Sequence, residues 1–229
     1  MSRIIEEIYV WRLPVRLYHW INALCIVVLS TTGMYIAWPV MSAPTGEAAL
    51  HHSMALWRYF HYVVAFIFIG NFLYRMYYAL LVKDDQYARF GGFRPWSPAW
   101  WGNPFKEQVA SYLFLRDDEP NYVGHNPVAA LAHFIFIFCG SVFMIFTGLA
   151  MYGENNPGGF TSTFFGWMLP LMGGSYGLRY AHHLVAWIFP FYVIVHLYAV
   201  FRHDVVDRTS VTSSIITGYK HKVEDEASA

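Results

Sequence analysis

Six histidines lie in segments that are otherwise apolar enough to sit in a lipid bilayer. They are His19, His61, His133, His182, His183 and His196. Because an ionisable side chain inside a membrane span is costly and rare, each one is a functional candidate by default. The alternative for any single histidine is a neutral imidazole that hydrogen-bonds across helices. Since neutral imidazole is also a common metal ligand, the spacing of the six decides between the two interpretations.

The fourth apolar segment carries three of these histidines, and their spacing separates them. The sequence positions of His182 and His196 differ by fourteen (196 − 182). At about 100° per residue this is within about 40° of four whole turns, with a rise of about 21 Å. The two side chains therefore share one helix face at opposite sides of the membrane. His183 would point about 140° away from His196 and is the weaker ligand, although a kink at Pro190 would change that angle.

The elements that must position these histidines are membrane helices. Of the 229 residues 56% are hydrophobic and only 13% are charged, far below the usual charged fraction of about 25%. Four segments have the roughly 20 apolar residues that a span requires, and they contain no Asp or Glu. They cover about 17–38, 57–82, 128–152 and 178–201. The sequence therefore predicts an all-α fold, an integral membrane four-helix bundle with 1–229 as one membrane domain.

Charge and cysteine content exclude several classes of protein. The formal net charge is zero and there is no basic run, so no nucleic-acid partner is expected. Cys25 and Cys139 both lie in apolar runs without a C-x-x-C motif. That disfavours a disulfide scaffold, a zinc site and covalently attached c-type haem. The N-terminal stretch MSRIIEEIYVWRLPVR mixes acids and bases, so a cleaved signal peptide is not expected.

The distribution of Lys and Arg predicts the orientation of the chain. The N-terminal arm, the connection 83–127 and the polar tail 203–229 contain these cations, whereas the connections 39–56 and 153–177 contain none. By the positive-inside rule both termini and the long connection 83–127 of this multi-pass membrane protein are cytoplasmic. Within that connection WSPAWWGNPFKEQVASYLFLR is expected to form an interfacial helix. The tail, which ends in EDEASA, is expected to fray.

This topology sorts four of the histidines into two levels. Depth pairs His19 with His196 on the cytoplasmic side and His61 with His182 on the periplasmic side. Two imidazoles that face each other at one depth can take both axial positions of a haem iron. Zinc or a di-iron centre would require nearby cysteines or carboxylates, which the spans do not supply at those depths. Two haems about 20 Å apart would form an electron path across a core about 30 Å thick.

Four arginines are candidates for binding the haem propionates: Arg16, Arg58, Arg75 and Arg179. Three of them lie three residues before a proposed ligand, and Arg75 follows His61 at the interval that separates His196 from His182 (75 − 61). The alternative is ordinary snorkelling to the membrane interface. Gly33 follows His19 at that interval too (33 − 19). It therefore leaves space for a ring on the ligand face near the periplasmic haem, unless it only allows close helix contact.

A short motif before the third span is a candidate quinone site. GHNP, residues 124–127, is predicted to lie at the level of His19 and His196. His125 and Asn126 could hydrogen-bond a quinone carbonyl, and His125 could also relay a proton. The alternative is a loop turn with Pro127 as the first helical residue. Tyr198 is a further and weaker quinone candidate.

Several stretches together resemble the b-type cytochrome subunit of membrane-bound nickel-iron hydrogenases. They are PVRLYHW at 14–20, RYFHYV at 58–63, GHNP at 124–127, HHLVAW at 182–187 with VIVHLY at 193–198, and SSIITGYKHK at 213–222. The resemblance covers nearly the whole chain. A histidine pair at the spacing of His182 and His196 recurs in many b cytochromes, whereas GHNP together with the tail stretch is more specific.

The resemblance implies a subunit with two haem b groups, ligated by His19, His61, His182 and His196. Such a subunit anchors the periplasmic hydrogenase small and large subunits and passes electrons to membrane quinone, without hydrogen chemistry of its own. The resemblance also implies that the connections 39–56 and 153–177 dock the small subunit. It implies a possible dimeric assembly as well. The alternatives are an anchor of formate dehydrogenase or thiosulfate reductase and, from another class, a haem-free transporter or structural anchor.

Overall fold

Four long apolar helices dominate the computed structural model, which describes residues 3–39, 52–82, 100–116, 122, 124–207 and 210–225. The helices long and apolar enough to cross a membrane are Leu13–Ala37, Ser53–Leu81, Pro127–Gly153 and Ser175–Val205. They coincide closely with the four segments found in the sequence, so the prediction of four apolar helices of spanning length is confirmed.

The first two spans are uninterrupted helices, α1 (Leu13–Ala37) and α2 (Ser53–Leu81), and strand β1 (Arg3–Tyr9) precedes them. The connection after α2 contains helix α3 (Asn103–Tyr112), with a proline in its first turn. Proline is tolerated there because the first N–H groups of a helix have no intrahelical partner. A helix therefore exists in the stretch predicted to be interfacial, although residues 83–99 lie outside the described part of the chain.

The third span changes its helical geometry part-way. It begins as α4 (Pro127–Ala132), continues as a π-helical stretch (His133–Cys139) and ends as α5 (Gly140–Gly153). Asn126 caps the start, because its side-chain oxygen accepts a hydrogen bond of 2.8 Å from the N–H of Ala129. A π-helical stretch shifts the register of the residues that follow, and such stretches are frequent at functional sites.

The fourth span is interrupted where the sequence predicts a kink. Two short helices, α6 (Phe160–Phe165) and α7 (Met168–Leu171), precede it. The span itself consists of α8 (Ser175–Ala186) and α9 (Ile188–Asp207), with Trp187 between them. Pro190 has no N–H to donate to the carbonyl of Ala186, so one backbone hydrogen bond of the helix is missing at this point.

The tail is ordered further than predicted. Helix α10 (Val211–Thr217) is followed by β2 (Tyr219–Asp225), which pairs antiparallel with β1. The all-α prediction therefore missed a two-stranded sheet, and the predicted fraying is wrong for the residues up to Asp225. The two strands lie far apart in the sequence, so no local sequence pattern predicts that they pair. Residues 226–229 lie outside the described part.

The chain divides into two compact units, each assembled from separate stretches of sequence. The first unit comprises Met1–Trp20, Tyr74–Ile135 and Ile194–Ala229, and the second comprises Ile21–Leu73 and Phe136–Val193. One core of the second unit contains Cys25, Ile26, Phe68 and Phe189. Cores of the first unit form around Val15 with Tyr78 and around Trp100 with Ala130. Each unit contains one of the two histidine pairs predicted from depth.

Candidate functional site

In the second unit, His61 of α2 is hydrogen-bonded to a hydroxyl on α1. The His61 Nδ1 atom lies 2.8 Å from Thr32 Oγ1. The Thr32 hydroxyl donates its own proton to the Val28 carbonyl at 2.7 Å, so it accepts from the imidazole. A neutral imidazole that donates through Nδ1 has Nε2 as its basic nitrogen. His61 is therefore held in the tautomer that offers Nε2 to a metal.

His182 of α8 has the same kind of partner on α5. Its Nδ1 atom lies 2.7 Å from Thr147 Oγ1, and the Thr147 hydroxyl donates to the Phe143 carbonyl at 2.8 Å. The Thr147 residue is 0% exposed and His182 is 8% exposed. Polar groups buried to this degree normally form hydrogen bonds. Each of these two side chains provides the other with a hydrogen-bond partner. His182 also offers Nε2 as its basic nitrogen.

A glycine follows each threonine and lies against the same imidazole. A Cβ atom on Gly33 would lie 3.3 Å from Cε1 of His61, and one on Gly148 would lie 3.5 Å from Cε1 of His182. The sequence predicts that Gly33 makes room for a ring on the face shared with His19. In the structure the ring next to Gly33 is the imidazole of His61.

The structure favours His182 over His183 as the partner of His61. The imidazoles of His61 and His182 lie within electrostatic range of each other. His183 is also within range of His61, but its side chain is exposed, and its ring centroid lies 6.4 Å from that of His182. Of the two neighbours, His182 is the one that combines burial with a hydroxyl partner, and its role as the ligand stays a prediction.

In the first unit the predicted pair is part of a larger cluster of rings. His19 and His196 lie within electrostatic range of each other, as expected. The His196 ring is 5.7 Å from that of His133, at 88°, and the His133 ring is 4.7 Å from that of His125. The sequence marks His133 as an ionisable residue in a span but gives it no role. Its place next to His196 could not be read from helix spacing, because the two residues lie on different helices.

Hydrogen bonds differ between the members of this cluster. His133 Nδ1 donates to the Ala129 carbonyl at 2.6 Å, so its Nε2 is the basic nitrogen. The Nδ1 atoms of His19 and His125 are buried and have no hydrogen-bond partner among the residues that the structure describes. Buried polar atoms without a partner are rare in folded proteins. A ligand that accepts or donates a hydrogen bond beside His125 would satisfy its nitrogen.

His125 is within electrostatic range of a buried lysine from the tail. Lys220 on β2 is 6% exposed, and its Nζ donates to the Tyr122 carbonyl at 2.5 Å. Burial lowers the pKa of His125 well below its usual value of 6.5, and the charges of His133, His196, Arg75 and Lys220 lower it further. The His125 imidazole is therefore neutral at pH 7. Trp11 covers it, with 4.9 Å between the ring centroids.

The other two quinone candidates are placed differently. The Asn126 side chain accepts from Ala129 N–H, and its Nδ2 donates to the Tyr112 hydroxyl at 2.8 Å. Both ends of this amide are thus engaged within the protein, as the helix-start interpretation of GHNP expects. Tyr198 is 65% exposed on α9. Of the three candidates, His125 is the one with an unbonded ring nitrogen in the described structure.

Two of the four candidate arginines have protein partners that the sequence did not indicate. Arg16 donates through Nη1 to the backbone carbonyl of Ile216, just before the sheet. Arg179 forms an ion pair with Glu154 at 2.5 Å, with about half of the Arg179 side chain exposed. The first contact joins α1 to the tail, and the second joins the end of α5 to α8. Both contacts give these cations a structural role.

The remaining two arginines differ in their surroundings. The Arg75 guanidinium lies over the Tyr18 ring, 5.6 Å from its centroid, in the unit that contains His19 and His196. Arg58 is exposed on α2, three residues before His61. Arg75 is also within electrostatic range of His125, the candidate quinone residue of that unit.

The donor atoms fit haem better than a bare metal ion. Among the described residues, no three His, Cys, Asp or Glu side chains form a group that could hold a metal ion. A haem iron needs only one imidazole on each side of the porphyrin. In the second unit both imidazoles keep Nε2 available while Nδ1 is bonded to a hydroxyl. The zinc and di-iron alternatives therefore lack support in the described residues.

Comparison with known proteins gives a consistent similarity along the chain. Residues 10–218 match the family described as prokaryotic cytochrome b561. A probable Ni/Fe-hydrogenase B-type cytochrome subunit of Cupriavidus necator is 41% identical over 217 residues, which cover 94% of this chain and 88% of the relative. A protein of the same description from Azotobacter chroococcum is 37% identical, covering 95% of this chain and 90% of the relative. A probable Ni/Fe-hydrogenase 1 B-type cytochrome subunit of Escherichia coli is 35% identical, covering 93% and 91%.

Proposed function

Because this chain belongs to the prokaryotic cytochrome b561 family, we propose that it is the B-type cytochrome subunit of a nickel-iron hydrogenase. It anchors the hydrogenase small and large subunits to the membrane and carries electrons from hydrogen oxidation to quinone. The relatives described above bear hydrogenase names, which favours this partner over formate dehydrogenase or thiosulfate reductase. The hydrogen chemistry belongs to the partner subunits.

This function calls for two haem b groups, and the chain offers one histidine pair for each. His61 and His182 would hold one of them, and His19 and His196 would hold the other. The observation that carries this proposal is that each compact unit contains one predicted pair, and that in the second unit both imidazoles keep Nε2 available while Nδ1 is bonded to a hydroxyl. When bound, haem iron supplies one-electron transfer by alternating between its ferric and ferrous states. The protein supplies the axial imidazoles, their orientation and a dry environment.

The four spans pack as a bundle with both termini in the cytoplasm. Lys and Arg are absent from the connections 39–56 and 153–177, so these connections face the periplasm, where the hydrogenase small subunit docks. The long connection 83–127 and the terminal sheet are cytoplasmic. The haem held by His61 and His182 is then the one closer to the hydrogenase, and the pair His19 and His196 lies closer to the quinone.

Quinone binds in the first unit, next to His125. The buried Nδ1 of His125 has no hydrogen-bond partner in the described structure, so it can contact a quinone carbonyl. Asn126 sits beside it in a position fixed by Tyr112, and Arg75 and Lys220 contribute positive charge around His125. Tyr198 remains a weaker candidate because of its exposure. This arrangement supplies both a hydrogen-bonding group and nearby cations to a molecule that gains negative charge on reduction.

Counting haem in the purified chain tests the ligand pairs. We expect His61→Ala and His182→Ala each to lose about half of the wild-type haem, because a bis-histidine haem loses an axial ligand in either variant. His183→Ala is the matched control and should keep the full amount. A pyridine haemochrome assay per polypeptide makes the measurement. Normal haem content in both ligand variants would overturn the pairing, and a wild-type chain without haem would support the haem-free anchor.

Comparing two electron acceptors tests the quinone site in the intact complex. In His125→Gln we expect hydrogen to reduce the haems as in wild type while quinone reduction slows. Glutamine keeps hydrogen-bonding capacity but cannot relay a proton through a ring. Absorbance of the reduced haem and the rate of quinol formation are recorded on the same preparation. Equal loss of both activities, or no loss of either, would contradict a quinone role for His125.

A further inference from the structure

We propose that Thr32 and Thr147 are positioning residues that fix the tautomer and the ring orientation of His61 and His182. This inference rests on the proposed function, because it concerns how two axial ligands are held. Neither threonine touches the iron in this scheme. Each acts through the imidazole from which it accepts a hydrogen bond, as partners behind metal-bound histidines commonly do.

The hydroxyls of Thr32 and Thr147 can take only one hydrogen-bonding role toward the histidines that face them. Thr32 donates to the Val28 carbonyl at 2.7 Å and Thr147 to the Phe143 carbonyl at 2.8 Å, each within its own helix. With that proton committed, the oxygen can only accept from the facing imidazole. The 2.8 Å contact to His61 and the 2.7 Å contact to His182 are therefore Nδ1–H donations. Both imidazoles must keep Nε2 unprotonated and available.

Glycine completes the arrangement at a second point of each ring. Gly33 and Gly148 follow the threonines directly, and their backbones approach Cε1 of the same imidazoles. Nδ1 and Cε1 are adjacent ring atoms, so a hydroxyl at one and a helix backbone at the other together restrict rotation of the ring. At Gly33 even a Cβ atom would be too close to the ring, whereas at Gly148 a Cβ atom would be in ordinary contact with it.

The same arrangement occurs twice in the second unit. A Thr-Gly dipeptide on α1 faces the histidine of α2, and a Thr-Gly dipeptide on α5 faces the histidine of α8. In both cases the dipeptide lies on one span and the histidine on the next span along the chain. Two independent occurrences at the two ligands of one proposed haem point to a shared role, since a single hydrogen bond could be a packing accident.

A measurable chemical consequence follows from the direction of these hydrogen bonds. Donation from Nδ1–H increases the basicity of the imidazole at Nε2. A more basic axial ligand favours the ferric state and lowers the midpoint potential of the haem. Removing the acceptor should therefore raise that potential. Loss of such a partner also typically weakens metal binding by about 10–100-fold.

The test compares substitutions that differ only in the hydroxyl. Thr32→Val and Thr147→Val keep the shape of the side chain and remove the acceptor, while Thr32→Ser and Thr147→Ser keep it. Thr31→Val is the matched control, because the Thr31 hydroxyl donates only to the Val27 and Val28 carbonyls of its own helix, at 2.8 and 3.0 Å. All variants are purified as the full chain with its hydrogenase partners. Redox titration, haem affinity and the highest g value of the ferric haem signal are measured.

We expect both valine variants to raise the potential of the same haem and to weaken its binding by about 10–100-fold. The serine variants should restore both values, and Thr31→Val should change neither. If the valine variants do not accumulate, Thr→Ala and Thr→Ser at the same positions provide the same comparison. Unchanged potentials and g values in the hydroxyl-free variants would overturn the inference even if two haems are bound. A wild-type chain without haem would instead refute the proposed function.

Discussion

Gly33→Ala and Gly148→Ala each add one methyl group, and we expect them to affect stability differently although the two sites look alike in sequence. Both glycines lie inside long helices, follow a threonine and pack against a proposed ligand. The added Cβ would lie 3.3 Å from His61 Cε1 in Gly33→Ala, but 3.5 Å from His182 Cε1 in Gly148→Ala. Carbon atoms in contact prefer separations of about 3.5–4.0 Å. Only the first substitution therefore forces the imidazole or the helix to move.

The expected difference in stability follows from two opposing effects. Replacing a helical glycine by alanine stabilises a helix by roughly 1 kcal/mol, and this gain applies to both variants. Overpacking in a close-packed interior costs typically about 1–3 kcal/mol, and it applies mainly at Gly33. His61 cannot turn away freely, because its Nδ1 is bonded to Thr32, the residue next to Gly33 on α1. Gly33→Ala should therefore be less stable than Gly148→Ala by about 1–3 kcal/mol.

Thermal unfolding of the two variants in one detergent, at one scan rate, measures this difference. For a chain of this size each kcal/mol shifts the melting temperature by about 2–4 °C, so several degrees should separate the variants. Gly148→Ala should match or exceed wild type, and its haem content should be unchanged. Equal melting temperatures, or a lower one for Gly148→Ala, would refute the argument from ring contact.

Two further predictions concern the first unit. Asp204 accepts hydrogen bonds from Val211 N–H and Thr212 N–H at the start of α10, so Asp204→Ala should destabilise the tail by about 1 kcal/mol, seen as faster proteolytic cleavage after α9. Burial lowers the folded-state pKa of His125 below 6.5, so the unfolded chain binds the extra proton as the pH falls through about 6.5. Stability should therefore fall from about pH 7.5 to about pH 5.5, and His125→Gln should lose part of that fall in melting temperature.

The sequence predicted the spans, and assigned the histidines to two levels, from coarse quantities. Span length follows from the thickness of the bilayer, and the level of a histidine follows from counting residues from the span ends. The same arithmetic ranked His182 above His183, in agreement with the burial of His182. The break in the helix at Trp187 required only Pro190, which has no N–H to donate to the Ala186 carbonyl.

What the sequence missed depends on the rotation of helices about their axes and on distant pairing. Whether the Thr32 hydroxyl meets His61 depends on the rotation of α1 against α2, which residue counting does not supply. The available signal was that Thr32-Gly33 and Thr147-Gly148, two of the four Thr-Gly dipeptides in the sequence, lie inside the spans that precede those of His61 and His182. The β1–β2 sheet joins segments at opposite ends of the chain, so its formation depends on folding of everything between them.

The two units differ in the chemistry that surrounds their histidines, and the difference agrees with the direction of the proposed electron path. In the second unit the imidazoles are held by hydroxyls whose protons are committed to backbone carbonyls, which suits electron transfer without proton exchange. In the first unit His125 is within electrostatic range of Lys220 and Arg75. Reduction of a quinone consumes protons as well as electrons, so it requires ionisable groups beside the final electron carrier. The first unit therefore has the composition expected where the electron path ends, and the second has the composition expected along its course.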